Sequence, residues 1–135
     1  MASADLELQG AIVAKLKADT ALTALVASRI YDQPRGDAPY PQVTIGETDT
    51  LRNDADCISG EDVYLTMHAW SREVGFPEVK RVAAAVIAAL HDVSLSLPTN
   101  HMLAIEHRQT RVFRDADGLT SHAVIEFAAQ TYTAA

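Results

Sequence analysis

Between Asp62 and Trp70 the chain alternates without a break: Val63, Leu65, Met67 and Ala69 fall on one side, and Tyr64, Thr66, His68 and Trp70 on the other. Successive side chains of an extended strand point to opposite faces, so this period of two reads as β-strand. The first face is apolar and belongs against a core. The second carries aromatic rings where a solvated face would carry charge, which points to burial under a loop or against another subunit.

A helix follows. Pro77 suits its first turn, and Val79, Val82, Ala83, Val86, Ile87 and Leu90 recur at helical spacing. Ala84, Ala85, Ala88 and Ala89 occupy the side that normally carries charge. Small residues there permit close approach of another helix or chain, or they simply favour the helix. An earlier helix is expected over Asp5–Lys17, with Leu8, Ile12 and Leu16 on one stripe joined by Ala11, Ser3 as cap, Asp5 and Glu7 in the first turn, and Lys15 and Lys17 in the last. A shorter one is expected over Thr20–Val26, capped by Asp19 or Thr20.

The remaining segments read as strands and turns. Arg29-Ile30-Tyr31 fits a short strand, and Pro34, Gly36, Pro39 and Pro41 exclude helix from the loop after it. Val43 and Ile45 alternate with Gln42 and Thr44 as in a half-buried strand. Thr48–Gly60 has almost no apolar residues and reads as a long hairpin excursion or a flexible loop. Met102–Arg114 and Leu119–Thr133 flank Asp115-Ala116-Asp117-Gly118, a hairpin turn in which Gly118 tolerates positive φ. In the second arm Ala123, Ile125, Phe127 and Ala129 alternate with polar residues. In the first arm Leu103 and Ile105 should face inward. If Val112 is the next inward residue, parity has changed and one bulge is expected between them. The order α-β-β-β-α-β-β gives one α+β domain over residues 1–135, with two principal helices packed on a mainly antiparallel sheet.

Charge and composition narrow the function classes. With 48% hydrophobic residues in 135, the chain can build a core without metal or disulfide, and its single Cys57, set among Asp54, Asp56, Glu61 and Asp62, reads as an ordinary thiol. The acidic start Met1-Ala2-Ser3-Ala4-Asp5 does not resemble a secretory signal, no apolar run is long enough to span a bilayer, and synthesis in a bacterial cytoplasm is expected. The net charge of −7 argues against gripping nucleic acid, which takes a surplus of Lys and Arg. Charge is also segregated. Glu47, Asp49, Asp54, Asp56, Glu61 and Asp62 surround Arg52 alone, whereas Arg108, Arg111 and Arg114 outnumber Glu106. Unlike segments on one chain can steer head-to-tail docking of copies, or they can be two solvated faces.

Catalytic patterns are missing. There is no G-x-S-x-G elbow and no Gly-rich phosphate loop. His68, His91, His101, His107 and His122 lie at no zinc-binding interval, and Asp115-Ala116-Asp117-Gly118 lacks the later ligands of a calcium loop. No enzyme activity, cofactor or metal is expected.

Three stretches in order carry a resemblance. They are Ala11-Ile12 through Leu16, Leu25-Val26 and Arg29-Ile30-Tyr31-Asp32; then Pro39-Tyr40-Pro41-Gln42-Val43-Thr44-Ile45-Gly46-Glu47; then Leu65-Thr66-Met67-His68-Ala69-Trp70-Ser71-Arg72 with Gly75 and the helix Glu78–Leu90. Over residues 10–132 this is similar to the tail-terminator (tail-completion) proteins of long-tailed phages and gene transfer agents. The resemblance implies a hexameric ring of this chain at the head–tail junction. That ring would end polymerisation of the tail tube protein, meet a head-side connector or stopper protein, and let DNA pass unbound. The acids Glu47, Asp49, Asp54, Asp56, Glu61 and Asp62 would then face the lumen or form a solvated loop. Trp70, Arg72, Arg108, Arg111 and Arg114 become candidates for subunit or tube contacts. Two other readings stand beside it: a head–tail connector or adaptor of the neck, and a small-molecule-binding or hydrolytic α+β domain. On the subunit-contact reading, Trp70→Ala is expected to impair self-association, by sedimentation, more than helix content, by circular dichroism. A fully unfolded variant would instead assign Trp70 to the core.

Overall fold

The computed structural model describes residues 3–134; Met1, Ala2 and Ala135, which the expected 1–135 domain includes, lie outside the described residues. The elements are α1 (Ala4–Ala18), α2 (Thr20–Val26), β1 (Ile30–Tyr31), β2 (Gln42–Arg52), β3 (Ile58–Ser71), α3 (Pro77–Leu90), β4 (His101–Arg114) and β5 (Ser121–Ala134). One five-stranded sheet has the order β1-β2-β3-β5-β4, with β1 parallel to β2 and every other pair antiparallel. The expected α+β class and its mainly antiparallel sheet are therefore what the chain forms.

The two long helices lie on the face of the sheet bearing Val63, Leu65 and Met67 of β3 and Ile125 and Phe127 of β5, all buried. In α1 the stripe Leu8, Ile12, Leu16 is buried as its spacing requires, and Ser3 Oγ accepts the Leu6 N–H at 3.2 Å. Asp19 Oδ1 caps α2 through the Leu22 N–H at 2.9 Å. At the end of α3, Asp92 takes the left-handed conformation and its N–H donates to Ile105 O, fastening the helix to β4.

Helix and strand lengths do not match. Fourteen residues of strand reach about 45 Å, but fourteen of helix only about 20 Å. The helices thus cover only part of the sheet; the segment bearing Val93, Leu95 and Leu97 packs on more of the same face, and the β2–β3 tip projects past both. This explains the composition of Thr48–Gly60. Of the two readings, hairpin excursion or flexible loop, the hairpin is observed: β2 and β3 stay paired out to Arg52↔Glu61, and Asp54 Oδ1 accepts the Gly60 N–H at 3.0 Å. Apolar residues are scarce there because β2 beyond Thr48 is exposed.

Two expectations need correction. Gln42-Val43-Thr44 is not half-buried; all three are fully buried, since the Gln42 amide bonds both backbone groups of Arg35 at 2.9 Å and Trp70 covers Thr44. In β4 the expected parity change occurs at Arg108, but a second bulge at Leu103 was not foreseen. That extra residue turns Leu103 outward, 67% exposed, and gives its inward place to Met102, while Ile105 is buried as expected.

Glu7, read from sequence as a first-turn acid, ties the layers together. Its carboxylate accepts from Thr99 Oγ1, from the Thr99 and Asn100 N–H groups at 3.0 Å each, and from Asn100 Nδ2 at 3.0 Å. The Thr99 hydroxyl foremost, opposed by burial, and then the other donors hold its pKa at about 2. A depressed carboxylate contributes stability that is complete above its unfolded value near 4.5 and is lost as pH falls towards 2. Glu7→Gln is therefore expected to lower the melting temperature at pH 7, with the gap from wild type closing between pH 4.5 and 2 in calorimetric scans. A gap independent of pH would show that the carboxylate charge is not what holds the segment.

Candidate functional site on the uncovered sheet face

Among the described residues no helix lies on the opposite face of the sheet. At its base, cross-strand register brings β2, β3, β5 and β4 side chains together: Thr44 opposite His68, Trp70 opposite His122, and His122 opposite Phe113. The Trp70 and His122 rings stack at 3.7 Å, and Trp70 Nε1–H donates to Thr44 Oγ1 at 3.0 Å. Trp70 is half-buried on this face and outside the core.

A polar chain runs through the stack. His122 Nδ1 lies 3.1 Å from Asp115 Oδ1, His122 Nε2 lies 2.7 Å from His68 Nδ1, and His68 Nε2 faces Glu47 Oε1 at 3.9 Å. The network assigns the tautomers. Asp115 accepts from His122 Nδ1–H, which leaves His122 Nε2 to accept from His68 Nδ1–H and frees the His68 Nε2 lone pair towards Glu47. Burial lowers both imidazole pKa values; for His68 the neighbouring ring adds to this while Glu47 and Asp115 oppose it, and for His122 the Asp115 carboxylate opposes it. Both rings are thus held neutral, and the chain can take up a proton at the Glu47 end.

Close approach of β2 depends on Gly46. A Cβ there would stand 2.7 Å from His68 Nε2 and 2.8 Å from Thr66 O. Gly46 and Glu47 form the bulge that breaks the β2–β3 register between Ile45 and Thr48, and this bulge aims Glu47 at His68.

Above the stack lies a shallow recess of about 270 Å³ lined by Glu47, Asp49, Tyr64, Thr66, Arg108 and Glu126. Arg108, assigned by sequence to a basic segment apart from the acids, here shares a recess with two of them, because β4 folds back beside β5. Asp62 lies on the same face beside Tyr64, Asp54 and Asp56 sit at the β2–β3 tip, and Glu61 pairs in register with Arg52. The other arginines rest on aromatic rings: Arg72 over Tyr40 at 4.2 Å, Arg111 over Phe113 at 5.2 Å and Arg114 over Phe76 at 4.5 Å. Arg72 also donates from Nε to Thr120 Oγ1 at 3.3 Å. Sequence reasoning missed the His68–His122–Asp115 chain. Parity put His68 on this face, but only the β3–β5 register puts His122 against it.

Among the described residues no group of three or more His, Cys, Asp or Glu could hold a metal ion, and no helix is long and apolar enough to cross a membrane. Cys57 is free and exposed at the hairpin tip.

Because both imidazoles are disfavoured as cations, their contribution to stability is complete above the unfolded value near 6.5 and is lost as pH falls below it. Asp115→Asn removes the group that supports protonation of His122, so the His122 pKa is expected to fall further in an NMR imidazole titration; a rise would refute the assigned chain. Gly46→Ala is expected to cost about 1–3 kcal/mol in denaturant unfolding, since backbone and ring must both give way.

Three comparisons bear on identity. A family model described as tail completion protein gp17 matches residues 10–132. The tail completion protein gp17 of Bacillus phage SPP1 is 27% identical over 119 residues, covering 88% of this chain and 87% of that protein. A chain from the virion of a native gene transfer agent particle superposes with a TM-score of 0.90 at 24% identity, covering 98% of this chain and 99% of that one, which shows a shared fold. With the family model spanning nearly the whole sequence, the chain belongs to the gp17 tail completion protein family, whose work is structural and done in the tail of a phage or phage-like particle.

Proposed function

We propose that this protein caps the tail tube as a hexameric ring of identical copies, ends addition of tube subunits, and joins the tail to a head-side connector while DNA passes through. The observation that carries the reading is the family match over residues 10–132, together with a fold that coincides end to end with a virion chain. The geometry supports it in one respect: a five-stranded sheet keeps one face without helices, with the half-buried Trp70 and the exposed Tyr64 on it. Such a surface suits assembly better than turnover.

Within this reading, Trp70, Arg72, Arg108, Arg111 and Arg114 contact a neighbouring copy or the tube protein. The projecting β2–β3 hairpin, with Asp54, Asp56, Glu61 and Asp62 towards its tip and Glu47 and Asp49 further down, faces the lumen. Carboxylates there repel phosphate, so DNA slides past without being held. The chain does this without catalysis or cofactor.

Particles made without the chain are expected to carry tubes of irregular length and heads without tails in electron micrographs, both restored by supplying it. Tubes of normal length joined to heads would defeat the proposal. Asp54→Lys with Asp56→Lys and Asp62→Lys is expected to leave particles assembled but slow DNA release. Unchanged release kinetics would remove the lumenal role of these acids and leave the capping role standing.

A further inference from the structure

The sheet has two open edges of unlike charge, and we infer that they join: β4 of one copy pairs antiparallel with the free stretch of β2 in the next. This inference rests on the ring reading and names the surface that would close the ring.

The first edge is β2. Its outer neighbour β1 is only two residues long and pairs with Val43 and Thr44, so from Ile45 to Arg52 no described strand lies on that side. Glu47, Asp49, Thr50, Leu51 and Arg52 there are exposed. The second edge is β4, fourteen residues long, with β5 on one side and no described strand on the other. Arg108, Gln109, Arg111 and Arg114 along it are exposed. Long unpaired edges present rows of backbone donors and acceptors that invite another strand.

Charge selects which strand. β4 carries a surplus of base (Arg108, Arg111 and Arg114 against Glu106) and the free stretch of β2 a surplus of acid (Glu47 and Asp49 against Arg52), so like edges repel on balance. β4 against β2 brings the unlike surpluses together. That contact uses different surfaces on the two copies, so it propagates head to tail and can close into a ring.

Strand direction and spacing agree with this. Through the order β2-β3-β5-β4, each neighbour antiparallel to the last, β4 runs opposite to β2. Continuing the sheet into the next copy therefore sets β4 antiparallel to the following β2, the more stable ladder. In that ladder Arg111 meets Glu47 and Arg108 meets Asp49. The step from 108 to 111 is one residue longer than that from 47 to 49, and the bulge at Arg108 takes up that residue. The contact ends where β1 already occupies Val43 and Thr44.

Charge reversal tests it. One variant carries Arg108→Glu and Arg111→Glu; the other carries Glu47→Arg and Asp49→Arg. Each alone is expected to self-associate at least about tenfold more weakly than wild type in sedimentation velocity at concentrations up to about 1 mM. Mixed in equal amounts they regain assembly, because each then offers the edge the other lacks and the two alternate around the ring. In assembled wild type, hydrogen exchange should slow along residues 106–111 and 47–52. If the reversed variants assemble like wild type, or the mixture stays dissociated, the edge pairing is wrong. If wild type assembles with both edges still exchanging freely, the edge pairing falls and the ring reading survives. A wild-type chain that stays monomeric throughout overturns the edge pairing, and the ring reading is then decided by the particles made without the chain.

Discussion

The antiparallel ladder between β3 and β5 is the constraint on which the rest of the molecule depends. It runs unbroken from Ile58↔Ala134 to Ser71↔Ser121, the one long pairing in the sheet without a bulge. With period two on both strands, one register decides every facing pair at once. Val63, Leu65, Met67 and Ala69 come opposite Ala129, Phe127, Ile125 and Ala123 to make the floor of the core. The same register sets Trp70 on His122 across the other face. A slip of one residue would expose the floor and bury Glu126 and Gln130, so core and surface cluster stand or fall together.

The helices complete one face and leave the other open for a reason of length. Helices cover about half the strand length, the segment bearing Val93, Leu95 and Leu97 packs on the core past α3, and at its end Glu7 binds the chain entering β4. A buried carboxylate is tolerable there because four donors converge on it. Along β2 past Thr48 the side chains of Asp49, Thr50, Leu51 and Arg52 are exposed. The irregularities lie in the outer strands. Bulges at Gly46–Glu47, Leu103 and Arg108 change which way individual side chains point without disturbing the central ladder.

For a structural virion protein this division of labour is coherent. The rigid element is the paired centre, and the adaptable ones are the edges and the projecting end. The histidine chain at the base of the open face links these zones: Asp115 comes from the β4–β5 turn, Glu47 from the β2 bulge, and the imidazoles from the ladder between them. Neutral rings packed against Trp70 keep that region apolar enough to bury. Glu47 remains exposed and free to meet a partner.

Period and turn chemistry made much of the fold legible beforehand. Alternation at Asp62–Trp70 and Ala123–Ala129, the stripe Leu8-Ile12-Leu16, Pro77 at a helix start, and Gly118 in its turn are local signals, and each acts over a few residues of backbone geometry. The α+β class, the helices and the parity change before Val112 followed from them. Local signals could not reveal that Glu7 is a buried tether, that Leu103 is turned out, or that Arg108 lies beside Glu47 and Asp49. They also could not show that His68 meets His122. Each of these depends on which strands become neighbours and in what register, across separations such as the 54 residues between the two histidines. Sequence by itself determined the helices and the inward faces of β3 and β5, because hydrophobic period is written locally. Tertiary structure alone decided the partners on the open face and the two unpaired edges, because long-range register is set by the packing of the whole sheet.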